Sequence, residues 1–351
     1  MQIIDLRSDT LTQPCSAMRQ AMMDAKLGDD VYGEDPTVTQ LEQELAQRSG
    51  HQAGLFFPSG TQSNLVALMS HCQRGDEYIV GQNAHTYQYE GGGAAVLGSI
   101  QPQPLENAED GTIPLDKVRN AIKADDFHFA KTRLLALENT TGGKVISQAY
   151  IHAAKKVARD AGLVFHLDGA RVFNAAVAQG IDVKQICSEF DSVSICMSKG
   201  LGAPIGSVLV GDEEYIHVAR RWRKMVGGGM RQAGLLAAAA LFAIDNNVER
   251  LADDHHNAQL LADRLSDVDG LEVHGGSANT NMVYLSLRDE DGEAYRDWCE
   301  NKGVLFQGAN PARVVVHKDI TEQMIEQAAD IMTSYFNNKT VPKSQTQSNL
   351  G

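Results

Sequence analysis

Two stretches of the sequence end an apolar run on a side chain that could do chemistry. LVFHLDGAR delivers Asp168, and SVSICMSKGLGAP delivers Lys199 just ahead of Gly200 and Gly202. In the second run Val193, Ile195 and Met197 alternate with small residues, the period of two expected of a strand. Open α/β sheets bind ligands at the carboxyl ends of their strands, so both side chains are expected at such an edge, with Lys199 reaching into a cleft. A lysine can form a Schiff base and a carboxylate can keep a pyridine nitrogen protonated, which together are what pyridoxal-phosphate chemistry requires. The same two residues also fit a capped turn and a solvated surface lysine.

A second segment, Pro58-Ser59-Gly60-Thr61-Gln62-Ser63-Asn64, lies between the apolar LFF run and a helical stretch. A small, hydroxyl-rich turn at a helix start offers free amides and the positive end of the helix dipole. Gly60 and Thr61 are therefore expected to bind a phosphate, the plainer alternative being a capped helix without ligand. The segment lacks the lysine of a Walker loop and the glycine spacing of a dinucleotide site, which argues against ATP and NAD.

His85, in GQNAHTYQY, could stack on a planar cofactor or fill a loop, while His128, in DDFHFAKTR, reads by itself as an ordinary residue. Adjacent residues on a helix point apart, so His255 and His256 do not make a metal site, and no metal is expected. Arg220-Arg221-Trp222-Arg223-Lys224, followed by Gly227-Gly228-Gly229-Met230-Arg231, gathers positive charge in an acidic chain. Such runs are usually solvated helix faces, but three glycines suggest backbone in close approach to a ligand or another subunit.

The elements that must position these groups can be read from the pattern around them. The short runs LFF, EYIVG, AVLGS, RLLALE, LVFHLD, SVSICMS and GSVLVG alternate with helical stretches at 64–71 and 150–161, the order of a mostly parallel α/β sheet. Ahead of them residues 1–13 read as an extended arm, followed by helices over 15–25 and 37–49, the second opened by Asp35-Pro36. A helix over 232–247 leads out of a large domain spanning 14–247. Strands at 271–274, 282–287 and 313–316, with helices at 255–266, 293–302 and 321–337, predict a small α+β domain over 248–338. Residues 339–351 have too little apolar surface to fold.

Composition narrows the classes. A chain of 351 residues with 43% hydrophobic and 22% charged residues suits a globular protein with two cores. A net charge of −14 argues against general nucleic-acid binding, so any anion site must be local. The five cysteines are widely spaced and form no CxxC pair, no basic start with an apolar run opens the chain, and no apolar stretch is long enough to span a membrane. A cytoplasmic protein with reduced thiols and no membrane contact is expected.

Taken in order, DLRSDT, GDDVYGEDP, PSGTQSN, AHTYQYE, FHLDGAR, CMSKGLGAP and WRKMVGGGMRQAG resemble the low-specificity L-threonine aldolases, from about Asp5 to Phe336. The resemblance implies a pyridoxal-phosphate enzyme of the aspartate aminotransferase-like fold (fold type I). Its activity would split L-threonine or L-allo-threonine, and other 3-hydroxy amino acids, into glycine and an aldehyde. By the same resemblance Lys199 holds the cofactor, Asp168 pairs with its pyridine nitrogen, His85 stacks on its ring, and Gly60 and Thr61 keep the phosphate. Arg171 binds the substrate carboxylate with help from Ser8 and Arg313, and His128 lies near the substrate side chain. Lys224 and Arg231 reach the cofactor region of a neighbouring subunit, in a homo-oligomer built as a dimer of dimers (a homotetramer). His85, His128 or a water carries the proton.

The chain departs from the family where LENTHNGKV becomes LENTTGGKV, with Thr141 and Gly142 replacing a histidine and an asparagine. An aspartate and a lysine alone would serve another lyase or a racemase of this fold equally well, and product analysis separates these. A cofactor-binding protein without turnover, or a purely structural oligomer, is the reading from outside enzymology.

Overall fold

The arm contributes a two-residue strand, β1 (Ile4–Asp5), and the alternating runs supply one sheet. In the computed structural model, which describes residues 2–288 and 291–339, its strands are β2 (Ala53–Phe57), β3 (Asp76–Gly81), β4 (Gln101–Leu105), β5 (Lys131–Glu138), β6 (Val164–Gly169), β7 (Ser192–Cys196) and β8 (Ser207–Gly211). They lie in the order β2-β8-β7-β6-β5-β3-β4. Neighbours are parallel from β4 to β7, and β8 alone is reversed, pairing antiparallel with both β7 and β2. The carboxyl ends of β5, β6 and β7 therefore share one edge.

The helices over the sheet follow from local chemistry. Gln148–Asp160 buries Ile151, Ala154, Val157 and Ala158, the spacing of a single helical face, and starts where Ser147 Oγ accepts from the Tyr150 amide at 3.2 Å. Pro36–Ser49 starts at Asp35, whose Oδ1 accepts from the Thr37 and Val38 amides, both at 3.1 Å. Asp35 Oδ2 also accepts from the Gly234 amide at 2.8 Å, which fixes the start of the alanine-rich helix Gly234–Asn246. Arg223, on Glu213–Met225, is 4% exposed and is satisfied by Asp30 Oδ2 at 2.8 Å and the Phe56 carbonyl at 2.7 Å. The expected solvated basic face is thus interrupted by a buried ion pair that pins the GDDVYGEDP segment.

AVLGS does not form a strand. Its first residues belong to the short helix Gly93–Val96, and the strand comes later, as QPQPL in β4. Pro102 and Pro104 disguise it, because proline lacks the ladder donor; β4 is the edge of the sheet, where one side needs no partner.

Thr10–Ala252 form one compact unit, and Met1–Asp9 together with the chain from Asp253 onward form the other. The expected boundaries thus shift, and residues 2–9 are stitched into the C-terminal unit. There β1 runs parallel to β11 (Val304–Leu305), after β9 (Leu271–Val273) and β10 (Met282–Leu287) and before β12 (Ala312–Val315). The antiparallel order is β12-β10-β9. The Val315 amide donates to the Leu6 carbonyl at 2.8 Å, and Ile4 and Leu6 are buried with Leu285 and Val314. Burial of those two side chains is why the arm is a structural edge. Gly292–Asn301 and Glu322–Lys339 complete this unit, and residues 340–351 of the expected tail lie outside the described residues. Among the described residues no helix is long and apolar enough to cross a membrane.

Candidate active site

Glu138 is the last residue of β5, Asp168 stands beside it on β6, and Lys199 follows three residues after β7 ends. The Lys199 loop is held from both sides, since its carbonyl accepts from the Gly202 amide at 2.8 Å and from Thr12 Oγ1 at 3.1 Å. Asp168, 4% exposed, has both oxygens occupied. Oδ1 accepts from the Ala170 amide at 3.0 Å and Oδ2 from Asn64 Nδ2 at 2.8 Å.

The same Asn64 nitrogen donates to Glu90 Oε1 at 2.9 Å, and that oxygen meets His85 Nδ1 at 2.9 Å. The His85 amide donates to Glu138 Oε2 at 2.7 Å, so two glutamates hold one histidine, by its ring and by its backbone. Polar atoms of His85, Glu90 and Asp168 all lie within 4.8 Å of one another. Glu90 raises the His85 pKa above that of an ordinary imidazole through their hydrogen bond; burial opposes it, the Asp168 charge assists, and Lys199 opposes. Burial, then the Asp168 charge, pushes Glu138 up to about 7.

Gly60 and Thr61 open the helix Gly60–His71, capped by Ser59 Oγ accepting from the Gln62 amide at 3.2 Å. First-turn amides have no carbonyl one turn back, so these two are free to meet an anion. Ser207 Oγ, fully buried and without a hydrogen-bond partner, lies 3.4 Å from where a Cβ on Gly60 would stand. The triple glycine serves this same turn, since a Cβ on Gly228 would fall 2.0 Å from Gln62 Oε1. It brings the basic segment onto the helix start of its own chain.

Other expected residues are placed elsewhere. Arg171 is half-buried at the N-cap of Val172–Gln179, directly after the Asp168 turn. Lys224 is exposed, and Arg231 is exposed with its guanidinium 2.8 Å from Asp29 Oδ2. His128 sits in an exposed loop, its Nδ1 2.7 Å from Asp126 Oδ1, three residues before β5 starts. Within one protomer the eight residues of β5 separate it from the Asp168 edge by roughly 25 Å. Ser8 and Arg313 belong to the C-terminal unit, where Arg313, on β12, donates to the Arg7 carbonyl at 3.3 Å.

Thr141 and Gly142 sit in a tight turn: Thr141 and Lys144 exchange two backbone hydrogen bonds of 3.0 Å, with Gly142 at φ 57° and Gly143 at φ 82°. Both central residues are left-handed, a geometry that asparagine also tolerates, so the departure keeps the turn and changes the side chains it presents. Asn64, Glu90 and Glu138 were not singled out by sequence reading, although PSGTQSN, AHTYQYE and LENTTGGKV contain them; their shared role exists only once a helix, a loop and a strand end meet.

Comparison with known proteins decides the family. The beta-eliminating lyase model matches residues 5–288. The chain is 53% identical over 328 residues to the low specificity L-threonine aldolase of Escherichia coli K12, covering 93% of this chain and 98% of that one. It belongs to the beta-eliminating lyase family, among the low-specificity L-threonine aldolases. The low-specificity L-threonine aldolase 1 of Arabidopsis thaliana is 44% identical over 333 residues, covering 92% of this chain and 93% of the relative. Among solved structures, a putative L-allo-threonine aldolase from Listeria monocytogenes superposes with a TM-score of 0.80 at 19% identity, covering 95% of this chain and 96% of that one, which shows the shared fold.

As a member of this aldolase family the chain is a pyridoxal-phosphate-dependent lyase of fold type I. Its own residues fit that group. The orphaned Ser207 hydroxyl and free amides at Gly60 suit a phosphate, the buried Asp168 carboxylate suits a protonated pyridine nitrogen, and Lys199 supplies the amine at the same edge.

Proposed function

We propose that this chain cleaves the Cα–Cβ bond of L-threonine and L-allo-threonine, and of other 3-hydroxy amino acids, to glycine and an aldehyde. The observation that carries the reading is the meeting of Asp168, Lys199 and His85 at one sheet edge, in a chain whose relatives bear the threonine aldolase name. Pyridoxal phosphate, when bound, supplies the electron sink for the pair left when that bond breaks.

The chain's residues supply the rest. Lys199 anchors the cofactor through its amine, Asp168 holds positive charge at the pyridine nitrogen, and Gly60 and Thr61 bind the phosphate. Arg171 binds the substrate carboxylate. His85 lies against the cofactor and moves the proton of the β-hydroxyl, its pKa raised by the hydrogen bond to Glu90.

The active form is a homo-oligomer, a dimer of dimers, in which Lys224, Arg231 and His128 serve a neighbouring copy's site. Their exposure supports this, as do Phe127 at 92% exposed beside His128 and the exposed Met23, Leu27, Val31 and Tyr32. Cys15 is an exposed free thiol and the other cysteines are buried and unbridged, which supports a reducing, cytoplasmic compartment.

Product analysis tests the activity. With either threonine isomer the purified, cofactor-loaded protein should release glycine and acetaldehyde in equal amounts. Keto acid with ammonia, or an inverted amino acid, would assign a different lyase or a racemase.

A further inference from the structure

We propose that Glu90 and Asn64 are positioning residues: Glu90 fixes the His85 ring with its proton on Nδ1, leaving Nε2 as the working nitrogen, and Asn64 ties that arrangement to Asp168. The inference rests on the aldolase reading only for what Nε2 does in turnover. The hydrogen bonds themselves are independent of it.

Burial raises the Glu90 pKa, against its hydrogen bonds from His85 and Asn64, and wherever its carboxyl is ionised it can only accept, so the 2.9 Å contact between Glu90 Oε1 and His85 Nδ1 then has the ring donating from Nδ1. In the neutral ring Nε2 is then the lone-pair nitrogen, able to take a proton from a substrate hydroxyl and return it. Glu90 is itself fixed, because Oε1 also accepts from Asn64 Nδ2 at 2.9 Å.

The orientation of the Asn64 amide is decided by its neighbours. Nδ2 faces two carboxylate oxygens, Glu90 Oε1 and Asp168 Oδ2, and a flipped amide would set its oxygen against both. Oδ1 is consequently left buried with no hydrogen-bond partner. A buried acceptor without a partner costs stability, and the two hydrogen bonds from Nδ2 to carboxylate oxygens offset that cost.

The backbone of His85 is held separately by Glu138 Oε2 at 2.7 Å. The ring can therefore be freed without releasing the chain. The charged groups facing the ring are Glu90, Asp168 and Lys199, with Glu138 at the amide.

The test uses cofactor-free protein with 15N-labelled histidine, the His85 signals being assigned by their loss in His85→Asn. Wild type should show His85 protonated at Nδ1 when neutral. Glu90→Gln keeps the shape but removes the charge, and the ring pKa should fall by about 1 unit or more. Asn64→Ala should reduce the share of the Nδ1-protonated form, since Glu90 is then free to turn away. In the loaded enzyme, the acidic limb of kcat/KM in Glu90→Gln should move to lower pH by the same amount, which a merely structural loss would not produce. An unchanged ring pKa in Glu90→Gln overturns the proposal, as does a limb that stays in place while the ring pKa falls. A ring that responds as expected in a protein releasing no glycine contradicts the aldolase reading and still supports the positioning.

Discussion

Glu138 and Asp168 stand directly opposite each other on the parallel strands β5 and β6. Two carboxylates side by side at a buried edge cannot both be ionised cheaply, which is why Glu138 is the one pushed up, by burial first and by Asp168 second, to about 7.

A stability consequence follows for the cofactor-free protein. A carboxyl whose folded pKa is raised binds more protons folded than unfolded, so its stabilising contribution is full below about 4.5 and is lost as pH rises through about 7. Glu138→Gln mimics the protonated form and can still accept from the His85 amide. Relative to wild type the variant should therefore gain at pH 8 by about 3 kcal/mol more than at pH 4, a difference readable in melting temperatures. An equal difference at the two pH values would show that Glu138 titrates as an ordinary carboxyl.

Asp168→Asn replaces the charge with a neutral amide in a site already occupied by Asn64 and the Ala170 amide. Cofactor binding should survive while turnover falls by roughly 10²-fold or more. Comparison of bound-cofactor absorbance with kcat separates the two effects, and an undiminished kcat would mean that another group holds the pyridine charge.

Gly60→Asp places a carboxylate beside Ser207 Oγ, at the start of the helix whose free amides are assigned to the phosphate. The cofactor dissociation constant should rise at least about tenfold. Fluorescence titration of the cofactor-free variant measures it. An unchanged constant would move the phosphate to another place.

Sharing of sites between copies predicts complementation. Lys199→Ala and Lys224→Ala should each be impaired, yet mixing them through unfolding and refolding should restore up to about a quarter of wild-type activity, because a mixed pair contains one site with both lysines. No recovery above the separate proteins would confine each site to its own protomer.

Much of the site was legible because its residues end strands. The alternating run into Lys199 and the apolar run into Asp168 announce both the strand and the edge at which each side chain emerges, and Ser59-Gly60-Thr61 announces a helix start. β4 was hidden by its two prolines, and the strand within the expected arm by its brevity, since two residues carry no period. Asn64 and Glu90 escaped for a different reason: in the sequence they are a polar residue inside a helix and an acid in a loop. Their roles depend on meeting Asp168 and His85 across 104 and 5 residues of chain. His128 reads by itself as an ordinary residue and is tied to the site only by the family resemblance; the topology sets it before β5 rather than after it, so within one protomer it lies far from the Asp168 edge.

The most direct test of the account is glycine release from L-threonine and L-allo-threonine by wild type and by Lys199→Ala, each supplied with pyridoxal phosphate. Because Lys199 lies in a loop secured by backbone contacts through its carbonyl, removal of its side chain should leave the fold and its melting temperature nearly unchanged. The account predicts glycine and acetaldehyde from both isomers with wild type, and a loss of at least about 10³-fold with the folded variant. Wild-type rates from Lys199→Ala, or no glycine from the wild-type enzyme with either isomer, would contradict it.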